Sequence, residues 1–329
     1  MKYNLLSLAV AITSLLFVGC KKEIFINQPG NLVPQTVEQD SSIPSINING
    51  AQLHAETFGN KDSAMVIFLH GGPGSDYRNG LNAKQLADNG YYVVFYDQRG
   101  AGLSKRHDEN SYSVQLYLDD LSAVIKHYRS SPLQKIFLFG HSWGAMLAAA
   151  YINTYPDSIA GVVFAEPGGF TNEMMNDYIK RSGKTNLFLE AINDAAYLDQ
   201  FLTGGKDKHE IMDYKLGMSA SFTYRKGNEE GIEGPSPSWR NGAAVLNGLL
   251  NISNKQGFDF TKNLNQFTPK VLFLYSEFNR AYGLSFAQKM AAYFSKNETA
   301  KIQGTGHEMI YFKWNNVYPI VLNYLNSLK

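Results

Sequence analysis

Gly140-His141-Ser142-Trp143-Gly144, a G-x-S-x-G string, holds the residues of this chain best suited to chemistry. Just before it, Ile136–Phe139 is a short apolar run of the kind that forms a buried strand. Just after it, Ala145–Tyr155 has a helical pattern. A strand that turns at once into a helix strains its central residue and leaves little room beside it. Glycine at 140 and 144 removes the Cβ atoms that would clash there. Ser142 is then held at a helix N-terminus, where developing negative charge is favoured, and its hydroxyl is a candidate nucleophile. The alternative is a serine in an ordinary tight turn, which the strand-to-helix context outweighs.

Two more strings end apolar runs in the same way. His70-Gly71-Gly72-Pro73-Gly74 follows Met65–Leu69. A glycine-rich loop after a strand can aim backbone N–H groups at a developing oxyanion, although by itself it is equally a loop of turn residues. Asp97-Gln98-Arg99-Gly100-Ala101-Gly102-Leu103-Ser104 follows Tyr91–Tyr96. Asp97 and Arg99 are expected to pair there and brace the neighbouring loops. No Gly-Lys-Ser/Thr follows these glycines, so they do not form a phosphate cradle.

The elements that must position these strings alternate along the chain. Strands are expected at Met65–Leu69, Tyr91–Tyr96, Ile136–Phe139, Gly161–Ala165 and Val271–Tyr275. Helices are expected at Leu81–Asn89, Val114–Arg129, Ala145–Tyr155, Ser285–Ser295 and Asn316–Leu328. Unbroken apolar runs suit strands buried on both faces, so the fold class is α/β with a mostly parallel central sheet flanked by helices. Ile46–Gly50 alternates apolar and polar residues and ends in Asn-Gly, which marks a hairpin into a second strand over Leu53–Phe58. Between Phe170 and Phe267 the rhythm breaks into helical patches and turns, as expected of an insertion carried on the sheet.

These three strings, in this order, resemble the α/β-hydrolase fold and, more narrowly, the proline iminopeptidase family, with its HGGPG, DQRGxGxS and GxSWG motifs. The resemblance runs over residues 46–329. It implies a core of 46–169 and 268–329 with a helical cap at 170–267. It also implies that the base comes last, after the nucleophile, and among seven histidines His307 in Gly304-Thr305-Gly306-His307-Glu308 fits. The family places its acid in a Gly-x-x-Asp turn after the strand matching Val271–Tyr275. Here that turn is Ser276-Glu277-Phe278-Asn279, which leaves Glu277, Glu166 and Asn279 as candidates, Glu277 first. The backbone N–H groups of Gly72 and Trp143 are the expected oxyanion hole. The implied activity is a serine hydrolase working through an acyl-enzyme without metal or organic cofactor, an aminopeptidase releasing an N-terminal residue from a short peptide. Alternatives are a carboxylic-ester hydrolase and a non-catalytic lipid-anchored binding protein. Relatives that act on free N-termini hold the ammonium with cap carboxylates, and Glu229, Glu230 and Glu233 form an acidic cluster in that region.

The rest of the chain bounds its surroundings. With 30 basic and 29 acidic side chains the net charge is +1, which argues against a nucleic-acid binder, and 44% hydrophobic residues exclude disorder. No apolar stretch reaches the roughly 18 to 20 residues of a spanning helix. Lys2, an apolar run over Leu5–Val18 and then Gly19-Cys20-Lys21 make a signal-peptide pattern. Leu16-Phe17-Val18-Gly19-Cys20 is similar to a bacterial lipobox. Residues 1–19 are therefore expected to be removed and Cys20, the single cysteine, to be lipidated. Residues 20–45, polar with three prolines, would tether the body to a membrane of the bacterial cell envelope.

Overall fold

The computed structural model describes residues 32–183, 207–223, 227–235 and 237–329. Cys20, the apolar leader and the first part of the tether lie outside the described residues. Eight strands form one sheet: β1 (Ser45–Ile48), β2 (Ala51–Phe58), β3 (Ala64–Leu69), β4 (Tyr91–Tyr96), β5 (Ile136–His141), β6 (Gly161–Ala165), β7 (Val271–Ser276) and β8 (Asn297–Ile302). Their order is β1-β2-β4-β3-β5-β6-β7-β8. β1–β2 and β2–β4 are antiparallel and the remaining neighbours parallel. The expected hairpin is present: Asn49 and Gly50 both have positive φ, 46° and 76°, which suits a two-residue turn.

The apolar runs are buried on both faces because helices cover both. Successive side chains of one strand enter opposite layers: Ile67 and Leu69 lie in one core, Val66 and Phe68 in the other. The helices are α1 (Val114–Tyr128), α2 (Trp143–Thr154), α3 (Asn172–Ser182), α4 (Lys208–Thr223), α5 (Ala243–Gln256), α6 (Gly283–Ala291), α7 (Met309–Phe312) and α8 (Trp314–Asn326). A 3-10 run over Tyr77–Asn89 stands where a helix over Leu81–Asn89 was expected. The alanine-rich α2 is buried from Trp143 to Ile152, and its small side chains bring it close to the sheet.

The helical insertion holds α3, α4 and α5. Its two ends are zipped together, with Phe260 N donating to Phe170 O at 2.9 Å and Asn172 N to Phe258 O at 3.0 Å. The tether ends earlier than expected. From Leu32 onward the chain is docked: Thr36 and Val37 are 3% and 2% exposed, and Val37 N donates to Leu103 O at 2.8 Å. A single buried valine has no period, so patterning could not reveal this contact.

Candidate active site

The elbow between β5 and α2 is built as its glycines require. Ser142 sits at φ 54° and ψ −117°, a left-handed conformation that a side-chain-bearing residue rarely adopts. A Cβ on Gly144 would lie 2.0 Å from Leu69 O, and one on Gly140 2.5 Å from the Ala145 Cα. Ser142 N donates to Ala165 O at 2.9 Å, which fixes the turn on the end of β6. The serine is half-buried and stands at the N-terminus of α2, whose first N–H groups have no acceptor within the helix.

The His70–Gly74 loop lies against this elbow. A Cβ on Gly71 would be 3.2 Å from the Ser142 Cβ, so a side chain there would crowd Ser142. Gln98 braces both pieces. Its N–H donates to His70 Nε2 at 2.9 Å and its side-chain amide to His70 O at 3.0 Å, while its carbonyl accepts from Trp143 Nε1 at 2.9 Å. Gly72 and Trp143, the expected oxyanion donors, thus belong to two segments held to one residue. Asp97 and Arg99 both brace loops, but not through each other as expected. Asp97 takes His54 Nδ1 at 2.8 Å and Leu103 N at 2.8 Å, whereas Arg99 makes a two-point contact with Asp120 at 2.7 Å each.

His307 follows β8, and its ring packs 4.8 Å from that of His141, the residue before the nucleophile. The acid facing it is Glu166. Glu166 Oε2 accepts from His307 Nδ1 at 2.8 Å, with the glutamate fully buried and the histidine 4% exposed. Glu277, ranked first from the sequence, is not at the site. It lies on the surface, where Lys301 Nζ at 2.8 Å and Gly304 N at 2.9 Å hold it and lower its pKa. The physical reason is register. Glu277 N pairs with Ile302 O, which sends its side chain to the β8 edge, while Glu166 N pairs with Leu274 O and turns inward at φ 44°. Asn279 also lies inside, donating to Glu166 rather than to the histidine.

Electrostatics favour a charged His307. Burial works against the His307 imidazolium, but the hydrogen bond to Glu166 and the charges of Glu230, Glu166 and Glu308 outweigh it and raise the pKa. His141 is opposite in character. Its Nε2 lies 2.9 Å from His307 O, which can only accept, so Nε2 carries the proton, and burial lowers the pKa of the ring. His141 therefore anchors the loop of the base without competing for charge, a role that its position inside the motif did not reveal.

The acidic cluster splits three ways. Glu229 pairs with Arg280 at the surface at 2.9 Å, and Glu233 accepts from Thr305 Oγ1 at 3.0 Å. Glu230 is buried, accepts from Tyr178 Oη at 2.6 Å, and its carbonyl accepts from His307 N at 2.9 Å. Among the described residues no group of three or more His, Cys, Asp or Glu is arranged to hold a metal ion.

A mostly parallel eight-stranded sheet, with a serine elbow after its fifth strand and a histidine after its last, is the α/β-hydrolase fold. Within it the chain resembles the proline iminopeptidases. Residues 60–210 match the family model described as serine aminopeptidase, S33. A proline iminopeptidase of Heyndrickxia coagulans is 35% identical over 124 residues, 37% of this chain and 42% of that one. One of Arabidopsis thaliana is 35% identical over 114 residues, 34% of this chain and 28% of that one. The matched segment thus spans less than half the length of these curated relatives. The crystal structure of a Mycobacterium smegmatis proline iminopeptidase superposes with a TM-score of 0.59 at 16% identity, covering 86% of this chain and 97% of that one. An esterase from Exiguobacterium antarcticum gives 0.57 at 15% identity, covering 85% and 97%.

Proposed function

We propose that this protein is a serine hydrolase that works through an acyl-enzyme, with Ser142 as nucleophile, His307 as base and Glu166 as acid. The observation that carries this is the 2.8 Å bond from His307 Nδ1 to the buried Glu166, directly beside the serine elbow. That bond fixes the tautomer and leaves Nε2 for the serine. Ser142 Oγ attacks the acyl carbon while His307 Nε2 takes its proton. The oxyanion rests on the N–H groups of Gly72 and Trp143. His307 returns the proton to the leaving group, and a water activated the same way then releases the acyl group. Ser142→Ala should abolish turnover of activated esters and aminoacyl substrates without unfolding the protein, and a fluorophosphonate should label only the wild type. Wild-type rates in the purified variant would overturn the assignment.

The substrate class that fits best is a short peptide or aminoacyl amide with a free N-terminus. Similarity to proline iminopeptidases supports this, as does Glu230, a carboxylate of the insertion buried beside the base. Aminoacyl anilides should be cleaved faster than their N-acetylated forms. Equal rates would favour the esterase alternative, which the likeness to esterases of the same fold also accommodates. We further propose that Cys20 is lipidated and holds the enzyme on a membrane of the bacterial cell envelope, because the single cysteine ends the apolar leader. Mass spectrometry of the native protein should find an acylated chain beginning at Cys20.

A further inference from the structure

Asn279 stands where the resemblance leads one to expect the acid, and its surroundings fix which way its amide points. Its Oδ1 accepts from Tyr282 N at 3.1 Å, so the NH2 end must face the other way, toward Glu166. Nδ2 donates to Glu166 Oε2 at 2.7 Å, the same oxygen that takes His307 Nδ1. The other hydrogen of Nδ2 points at Tyr178 Oη, 3.4 Å away, and that hydroxyl gives its own proton to Glu230. Oε1 of Glu166 takes Ser276 N at 2.7 Å and Ser276 Oγ at 2.6 Å. Each of these four contacts places a donor on the carboxylate.

We infer that Asn279 is a positioning residue whose amide donates to Glu166 and keeps it aimed at His307, and that a carboxylate at 279 could fill this place only while it carries a proton to donate. The inference rests on the triad proposed above. Its physical basis is proximity. Two carboxylates about 2.7 Å apart cannot both ionise without strong repulsion, so an acid at 279 would keep a proton to pH values well above the ordinary carboxylate range, and its loss would remove the donor and push Glu166 away. Asparagine at 279 is then the complement that a glutamate at 166 requires.

The titratable groups coupled to this pair are His307, on Glu166, and His141 and Glu308 beside it, with Tyr178, Tyr282 and Glu230 packed around Asn279 and the base. Burial raises both tyrosines well above 10, and it lowers His141. An alkaline limb that appears only when 279 is acidic therefore belongs to the 166/279 pair.

The test measures kcat and KM from pH 5 to 9 for the wild type, Asn279→Asp, Asn279→Ala and Glu166→Gln, with unfolding midpoints for each. In Asn279→Asp the activity should fall about tenfold or more, relative to wild type, as pH rises through the upper pKa of the pair. Asn279→Ala, which adds no charge, should lose about tenfold in kcat with KM little changed and with no new limb. If Asn279→Asp does not fold, the kcat-against-KM split of Asn279→Ala decides alone. A gain of activity in Asn279→Asp, or wild-type kinetics in Asn279→Ala, would overturn the inference. A Glu166→Gln variant with near wild-type kcat would instead overturn the triad, which keeps the two failures distinct.

Discussion

The chemistry of this site rests on which carboxylate meets His307. Glu166 is sealed from water and bonded to the imidazole at 2.8 Å, whereas Glu277 is bound to Lys301 at the surface. Glu166→Gln should therefore lower kcat by about two to four orders of magnitude with little change in KM, and Glu277→Gln should leave both near wild type. Steady-state kinetics of the two variants checks this, and the reverse pattern would reject it. The raised pKa of His307 sets a pH dependence as well. The base must be neutral to take the serine proton, so activity should rise with pH through a midpoint above 6.5, the value of an unperturbed histidine. In Glu166→Gln the residual activity should show that midpoint moved down, because the hydrogen bond and charge that stabilise the imidazolium are weakened.

At the scale of elements, Asp76 joins the end of the His70–Gly74 loop to the insertion. It caps the 3-10 run through Arg78 N at 3.0 Å, and its other oxygen accepts from Ser238 Oγ at 2.8 Å, Trp239 N at 2.6 Å and Arg240 N at 3.1 Å. Beside it, Gly242 N donates to Gly74 O at 2.6 Å, so the chain returning to α5 is tied directly to the His70–Gly74 loop. Burial and the nearby charge of Asp97 outweigh these donors and push Asp76 up from 3.8 to about 7. The sign follows from proton counting. Between those values the native state keeps a proton that the unfolded chain has released, so this group makes stability fall as pH rises from about 4 to about 7. Asp76→Asn should remove that part of the slope. Urea unfolding at several pH values measures it, and an unchanged slope would contradict the assignment.

Across the whole molecule, one buried cluster ties three regions together. Asp213 on α4 accepts from Arg106 Nε at 2.8 Å, Arg240 Nε at 2.7 Å and Ala243 N at 2.9 Å. Arg240 also donates to Pro34 O at 2.9 Å, which brings in the docked N-terminal segment. The core loop at Arg106 and the insertion thus share one carboxylate, and Arg240 links the segment before β1 to it. Asp213→Ala would strand two guanidinium groups whose side chains are only 6% and 2% exposed. Removing the partner of a buried charge typically costs about 3–5 kcal/mol, and chemical denaturation should find a loss of that order. A loss below about 1 kcal/mol would mean that water or other groups take over the carboxylate's role.

The parts of this protein whose signals are local could be read along the chain. Apolar runs located β3 to β7, Asn49-Gly50 announced the first hairpin, and the spacing of Gly140 and Gly144 around Ser142 announced the elbow, because backbone sterics act over a few residues. His307 was legible too, through its place in the motif order that the family resemblance supplies. The partners that meet across the sheet emerged only from packing. Glu166 and His307 are 141 positions apart and touch because β6, β7 and β8 are adjacent. Whether Glu166 or Glu277 turns inward depends on strand register at the edge of the site, which composition does not encode. The docking of Val37, the bracing of the His70–Gly74 loop by Gln98, and the meeting of Arg106, Asp213 and Arg240 are of the same kind. Each joins side chains whose separation along the chain carries no pattern, and packing in three dimensions alone brings them together.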